Sequence, residues 1–233
     1  RIGAAETYDV IVEPQQAHYQ IEAESIDRSG FAIASLQNEM QTKPTAVQIP
    51  KARPRTLLSM QDMAMDHSAH PSHNQMNMSA PTMSDHQHQI VAVSEKKTVD
   101  TVQGWANAAT PKGHKALQYA DLKSLTPQAD TRQAEKEMVI RLGGTMERYI
   151  WTINGKKFNE AEPLQVKYGE RIRLKFINDS MMAHPMHLHG MFMQLENGQD
   201  AASLPNKHTI VVPPNQTVTA LLTADELGEW AIH

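Results

Sequence analysis

Three histidines fall within one short stretch of the chain, His184-Pro185-Met186-His187-Leu188-His189-Gly190. Neutral imidazole nitrogen is a ligand for copper and other transition metals. In an extended chain, residues two apart share a face and residues three apart do not. We therefore expect His187 and His189 to serve one metal centre while His184 points to another. The alternative, a set of surface or hydrogen-bonding histidines, suits a lone histidine better than three at this spacing.

A second concentration of metal-ligand side chains lies between residues 60 and 88. The methionines there are Met60, Met63, Met65, Met76, Met78 and Met83, and the histidines are His67, His70, His73, His86 and His88. Thioether sulfur is a soft ligand that favours Cu(I) over zinc or Cu(II). We interpret the segment as a site of Cu(I) capture whose candidate ligands are the six methionines and His67. The alternative is a low-complexity linker with incidental methionines.

Composition excludes several other classes of function. The 22 Lys and Arg residues against 26 Asp and Glu give a net charge of -4, and no basic run is present to neutralise a phosphate backbone, so nucleic acid is not an expected partner. No run of 18 apolar residues indicates a membrane span. The absence of cysteine excludes disulfides and cysteine-bound zinc or iron–sulfur clusters within these residues.

Short strand patterns appear at both ends of the chain and leave an unpatterned middle. Residues 8–12, 19–23 and 31–34 have the character of strands, so residues 1–40 are interpreted as the C-terminal part of a β-sandwich domain. Residues 41–115 lose this periodicity and are interpreted as a Met/His-rich, largely disordered linker or insert. A short helix is predicted near residues 119–122.

The remaining stretch, residues 116–233, predicts a second β-domain. Apolar residues alternate with polar ones around residues 138–142, 164–168 and 218–222, and Asn154-Gly155 is a hairpin signal. In residues 171–177 the apolar side chains face one way and the basic ones, Arg171 included, face the other. Many short strands without a long helix predict an all-β fold, built as a Greek-key β-sandwich or barrel.

The heptapeptide resembles the H-x-x-H-x-H motif of the last cupredoxin domain in multicopper oxidases. Other motifs resemble the copper-resistance (CopA-type) branch of that family, and they occupy residues 8–14, 27–31, 146–151, 168–171, 178–182 and 207–209. The resemblance implies cupredoxin-like domains and copper as the cofactor. It also implies oxidation of Cu(I), and of phenolic compounds as a further substrate class, coupled to reduction of dioxygen to water.

The resemblance also implies a role for each histidine of the motif. His184 would ligate the type 1 copper, His187 the type 2 copper and His189 one copper of the type 3 pair. His233 matches the first histidine of the family's closing His-Cys-His motif and would be another type 3 ligand. The sequence is expected to be cut at both ends, because the cysteine after His233 and the His-x-His motifs of the first domain fall outside it.

Two expectations concern the protein as a whole. By the resemblance it would be periplasmic, and these 233 residues alone would lack oxidase activity because most copper ligands of the family are missing from them. The competing hypothesis is a periplasmic copper-sequestering protein without oxidase activity, which would use the Met/His-rich insert alone.

Overall fold

The computed structural model describes residues 2–25, 29–37, 46–51, 113, 116–145 and 150–233. Their regular structure is almost entirely extended, with two single-turn 3-10 helices at Tyr119–Asp121 and Phe158–Glu160. The ten strands are β1 (His18–Glu24), β2 (Phe31–Gln37), β3 (Lys136–Thr145), β4 (Ile150–Ile153), β5 (Arg171–Asn178), β6 (His184–His187), β7 (Met193–Leu195), β8 (Asn206–Lys207), β9 (Thr209–Val212) and β10 (Thr217–Thr223). The predicted all-β fold class is confirmed.

The strands form one large sheet and two ladders. The large sheet has six strands in the order β4-β3-β5-β10-β7-β8, and β6 pairs with β9 while β1 pairs with β2. Within the large sheet β3 and β5 run parallel, whereas the other pairs are antiparallel. Residues of both the large sheet and the β6–β9 ladder belong to one hydrophobic cluster. The β6–β9 ladder therefore covers the large sheet as the second layer of a sandwich.

Alternation along the central strands builds that core. Ile172, Leu174 and Phe176 of β5 are 0%, 3% and 0% exposed, as the alternating pattern predicts. Strand β10 pairs with β5 and places Ala220 and Leu222 on the same buried layer. Burying each large apolar side chain contributes about 1.5–3 kcal/mol to folding, so the sheet provides a rigid base for the segments that carry the histidines.

One side chain of β5 contradicts the two-faced pattern. Arg171 is 1% exposed rather than solvent-facing, and its guanidinium donates to Thr223 Oγ1 at 2.8 Å and to the Asp130 carbonyl at 3.2 Å. The side chain of Gln194 also accepts a bond from it. The segment preceding β3 covers this end of the sheet, which the strand period does not reveal. Burial lowers the pKa of Arg171, although Asp130 opposes the shift.

Two of the predicted strand patterns form no ladder. Residues 8–12 and residues 164–168 carry no strand, and their apolar side chains are exposed, with Ile11 at 84% and Val166 at 37%. Asn154-Gly155 does form a tight turn, with φ of 52° and 77° and a reciprocal backbone pair between Ile153 and Lys156. The apolar alternation was real in the sequence, but a ladder also requires a neighbouring strand to accept its hydrogen bonds.

The Met/His-rich segment lies outside the described residues. This holds for all its candidate Cu(I) ligands, which are Met60, Met63, Met65, His67, Met76, Met78 and Met83. Among the described residues, no helix is long and apolar enough to cross a membrane. The β1–β2 hairpin is mostly exposed on both faces.

Candidate metal centre

His187 and His189 lie together at the end of β6. His187 is the last residue of the strand, and Leu188, which is 6% exposed, turns into the core. Because successive side chains of an extended segment alternate in direction, the residues on either side of Leu188 share the opposite face. Their rings meet edge to face with centroids 4.6 Å apart. The spacing argument predicted this pairing from the sequence.

His233 reaches the same place through backbone pairing. The amide of His187 donates to the His233 carbonyl at 2.7 Å, and the amide of His233 donates back to the His187 carbonyl at 3.0 Å. One residue further along, Leu188 and Ile232 form an antiparallel bridge. Residues directly opposite in such a pair carry their side chains on the same face, so the imidazole of His233 lies beside that of His187.

The three imidazoles form a set of donors that fits a metal ion. One nitrogen from each of His187, His189 and His233 lies within 4.8 Å of the others, and the His189 and His233 Nε2 atoms are 3.1 Å apart. Two nitrogens bound to one ion at about 2 Å each are separated by about 3 Å. Two bare lone pairs at this distance repel, so a proton or a cation must lie between them. A borderline metal such as copper matches an all-imidazole set.

Nδ1 of His187 lies within hydrogen-bond distance of two oxygen atoms of the β8–β9 region. It lies 2.8 Å from Thr209 Oγ1 and 3.1 Å from the His208 carbonyl oxygen. Burial lowers the pKa of His187, the neighbouring His189 lowers it further, and the hydrogen bond to the His208 carbonyl opposes both effects. The ring is therefore held largely neutral at neutral pH, which is the form that binds a metal.

His184, at the other end of β6, faces different neighbours. Its Nε2 is 2.7 Å from Ser180 Oγ, and its ring meets the Trp151 indole edge to face with centroids 4.9 Å apart. Burial lowers the pKa of His184. Because Ser180 occupies Nε2, Nδ1 is the nitrogen that His184 would offer to an ion. The side chain of His184 thus has different neighbours from those of His187, His189 and His233.

His208 is the neighbour that sequence reasoning missed. Its Nδ1 lies 3.4 Å from Nδ1 of His187. It reaches this position because β6 and β9 pair with His187 opposite Thr209. No pattern within a single strand indicates which strand will pair with it, so strand periodicity does not predict this contact, although residues 207–209 resemble a motif of the family. His18 lies on β1, and its buried Nε2 has no hydrogen-bond partner among the residues that the structure describes.

The methionines around the heptapeptide divide between core and surface. Met186, Met191 and Met193 are 4%, 9% and 0% exposed and belong to the hydrophobic cluster. Met181 and Met182 are 57% and 39% exposed and do not join it. The buried three are thus accounted for by packing.

Several known proteins are similar to this chain in sequence or structure. The family profile described as "Multicopper oxidase" matches residues 131–233, which contain His184, His187, His189, His208 and His233. The whole chain is 37% identical to the copper resistance protein A homolog of Pseudomonas syringae pv. tomato, covering 44% of that protein. It is also 37% identical to copper resistance protein A of Escherichia coli, covering 46%. The chain belongs to the multicopper oxidase family.

This member of the multicopper oxidase family spans less than half the length of the curated relatives it matches over its whole length. A shorter similarity reaches the multicopper oxidase MmcO of Mycobacterium tuberculosis, at 42% identity over 97 residues, 42% of this chain and 19% of that protein. Among solved structures, the blue copper oxidase of Nitrosomonas europaea superposes with a TM-score of 0.38 at 26% identity, over 43% of this chain and 37% of that one.

Proposed function

We propose that these residues supply copper ligands to a multicopper oxidase that acts in copper resistance, oxidising Cu(I), and phenolic compounds as a second substrate class, while reducing dioxygen to water. The observation that carries the proposal is the convergence of His187, His189 and His233 on one face. Family membership and the names of the relatives support the copper assignment. A periplasmic location is part of the proposal and rests on the sequence motifs alone.

Each histidine has a proposed place in that chemistry. His184 would hold the type 1 copper and His187 the type 2 copper. His189 and His233 would hold type 3 copper, where their Nε2 atoms lie 3.1 Å apart. Bound copper supplies reversible one-electron chemistry, and reduction of dioxygen to water needs several electrons at one place. The backbone pair between His187 and His233 fixes two of these ligands relative to each other.

The protein's own residues also control protonation around the ligands. Thr209 and the His208 carbonyl hold one nitrogen of His187, and Ser180 holds one nitrogen of His184. Each ring is therefore oriented before a metal arrives, which reduces the ordering cost of binding. His184 and His187 have pKa values lowered by burial, so at neutral pH protons compete weakly with a metal for them.

The competing function, copper sequestration without oxidase activity, is favoured by the composition of residues 60–88. Six of the fourteen methionines and five of the twelve histidines of the chain lie in that segment. Thioether groups prefer Cu(I), so such a segment would bind it without any of the histidines of the folded domain. The two functions place copper on different residues, and mutation can therefore separate them.

The test compares two variants of the 233-residue chain. One carries His189→Ala and His233→Ala, both at exposed positions, and the other carries leucine at the six methionines between residues 60 and 88. Competition with copper chelators measures affinity for Cu(II) and Cu(I) separately, and His18→Ala on the β1 strand serves as the matched control. We expect the double histidine variant to lose Cu(II) binding while the control keeps it.

Two outcomes decide between the functions. Unchanged Cu(II) affinity in the double histidine variant contradicts the proposed metal centre. Loss of all copper binding in the methionine variant, with the histidine variant unaffected, favours sequestration instead.

A further inference from the structure

A segment from the start of the chain lies directly behind His187. We call Gly3–Tyr8 the N-terminal segment. Three of its consecutive residues contact three consecutive residues at the junction of β8 and β9. The pairs are Ala5 with Thr209 at 2.8 Å, Glu6 with Lys207 at 2.9 Å and Thr7 with His208 at 2.9 Å. The loop that supports His187 is thus held by residues about 200 positions earlier in the chain.

The hydroxyl of Thr209 has a single proton, and its destination can be read from its partners. Thr209 Oγ1 donates to the carbonyl oxygen of Ala5, which can only accept. The same oxygen lies 2.8 Å from Nδ1 of His187 and 2.9 Å from Nδ1 of His208. With its proton committed to Ala5, the hydroxyl accepts from both nitrogens through its two lone pairs. The His208 carbonyl, 3.1 Å from the same Nδ1, is likewise an acceptor only.

His208 Nδ1 lies 3.4 Å from His187 Nδ1 but donates its own proton to Thr209. His187 Nδ1 therefore faces two acceptors and must carry the ring proton. In neutral imidazole the other nitrogen, Nε2, then holds the lone pair. We propose that Thr209, oriented by the Ala5 carbonyl, is a positioning residue that fixes His187 in the Nδ1–H tautomer and so makes Nε2 its metal-binding nitrogen. The consequence for copper rests on the proposed function, whereas the tautomer itself does not.

The N-terminal segment is anchored firmly enough to hold this carbonyl in place. The side chains of Glu6 and Lys207 are 1% and 7% exposed, and the Glu6 carboxylate also accepts from Tyr8, Tyr119 and the Gly3 amide. Burial raises the pKa of Tyr119, and the Glu6 charge raises it further, so both hydroxyls on Glu6 stay protonated as donors.

Backbone geometry adds to this anchoring. Ala5 has φ of 58°, in the left-handed region that residues other than glycine seldom adopt. A Cβ on Gly3 would come within 2.4 Å of Val211 Cγ2, so the segment lies against β9 with no space between them. The surrounding contacts hold Ala5 in an unusual conformation, and that conformation presents its carbonyl to Thr209.

The test compares the native 233-residue chain with two single variants at Thr209, which is fully buried. Each protein is studied both metal-free and loaded with copper. Thr209→Val keeps the shape of the side chain and removes the hydroxyl, whereas Thr209→Ser keeps the hydroxyl. Long-range proton–nitrogen NMR of the imidazole rings reports the His187 tautomer without any metal. We expect Nδ1–H in the native chain and in Thr209→Ser, and a mixture of the Nδ1–H and Nε2–H tautomers in Thr209→Val, where the His208 carbonyl alone still accepts from Nδ1. A Thr209→Val chain with the same Nδ1–H population as the native chain would contradict the role of Thr209.

Copper affinity gives the second readout. Removing a group that orients a ligand commonly costs 10–100-fold in metal affinity, so we expect Thr209→Val to bind Cu(II) about 10-fold more weakly and Thr209→Ser to bind like the native chain. An Nε2–H tautomer in the native metal-free chain overturns the proposal, as does a Thr209→Ser variant as impaired as Thr209→Val. A native chain with the Nδ1–H tautomer but no copper affinity would refute the metal centre and leave the positioning of His187 intact.

Discussion

The two ends of strand β6 are built in different ways although only two residues separate them. His184 contacts Ser180, four residues earlier, and Trp151 on β4 of the large sheet. His187 depends on residues 21 and 46 positions away, and through Thr209 on a residue 204 positions from that threonine. Both histidines pair through the backbone with β9, but the side chain of His187 also depends, through Thr209, on the N-terminal segment. Damage to the N-terminal segment should therefore disturb the His187 end alone.

Removing the anchor of the N-terminal segment should have the largest effect. Glu6→Leu leaves the Lys207 ammonium buried without its carboxylate, since their side chains are 1% and 7% exposed. Breaking a buried ion pair from one side costs about 3–5 kcal/mol, and we expect that loss in the free energy of unfolding measured with urea. The His187 tautomer should change in NMR spectra, while the His184 signals stay in place.

The control for Glu6→Leu is the double variant Glu6→Leu/Lys207→Met. Replacing both members of a buried pair by apolar side chains is often neutral, so the double variant should recover most of the lost stability. Equal destabilisation of the single and double variants would show that the hydrogen bonds of Glu6 to Tyr8 and Tyr119, and not the unpaired charge, account for the loss.

Gly190→Ala should have the next largest effect on stability. It should act on the segment that contains Trp230 and His233, which pairs with His187. Gly190 has φ of 76°, and a Cβ there would lie 2.3 Å from the indole of Trp230, three residues before His233. The left-handed conformation costs about 1–2 kcal/mol, and the crowding adds about 1–3 kcal/mol. We expect lower stability and weaker Cu(II) binding, because His233 moves away from His189.

Gly198→Ala is the matched control for that substitution. Gly198 has φ of 89°, and no atom of the described part of the chain lies within 4 Å of an added Cβ. It should show the conformational cost alone and leave Cu(II) affinity unchanged. Equal loss of stability and equal copper affinity in the two alanine variants would give a different conclusion. The contact between Gly190 and Trp230 would then not be what keeps His233 in place.

The sequence predicted what depends on period and missed what depends on partners. Alternation in β5 identified Ile172, Leu174 and Phe176 as buried, and the spacing of His187 and His189 placed them on one face. Both are consequences of backbone geometry that hold for any extended strand. The roles assigned to these histidines in copper binding stay predictions.

The errors share one physical cause. Residues 8–12 carry strand-like residue types but find no partner strand, and Arg171 is buried because a preceding segment covers its end of the sheet. Likewise, the position of His208 beside His187 follows from pairing between β6 and β9. Tertiary pairing decides each case, and a single sequence contains no local signal for it.

Acidification should lower the stability of the folded chain, with a smaller effect than the substitutions above. Burial lowers the folded pKa of His184 and His187 below the unfolded value of 6.5. The unfolded chain then binds more protons below that pH, so the stabilising contribution is complete above about pH 6.5 and is lost as the pH falls through the folded pKa values. We expect the urea midpoint of the metal-free chain to drop between about pH 7 and about pH 5.

The lowered pKa values of His184 and His187 differ in their causes. The pKa of His187 is lowered further by His189 and His233, whereas burial alone lowers that of His184. His189→Ala/His233→Ala should therefore shift the NMR titration of His187 to higher pH and leave that of His184 where it was. An equal shift of both titrations would mean that the two ends share one environment.

Ser180→Ala should have the smallest effect and act at the His184 end alone. Ser180 Oγ is 2.7 Å from His184 Nε2 at a position that is only partly buried, so its loss should lower the free energy of unfolding by about 0.5–1.5 kcal/mol. Ser180→Thr keeps the hydroxyl and should restore the His184 signals. The tautomer of His187 should be the same in all three proteins, since its supports, Thr209 and the His208 carbonyl, do not involve Ser180. A change at His187 in Ser180→Ala would show that β6 transmits a disturbance along its length, and the two histidines would then have to be treated as one coupled site.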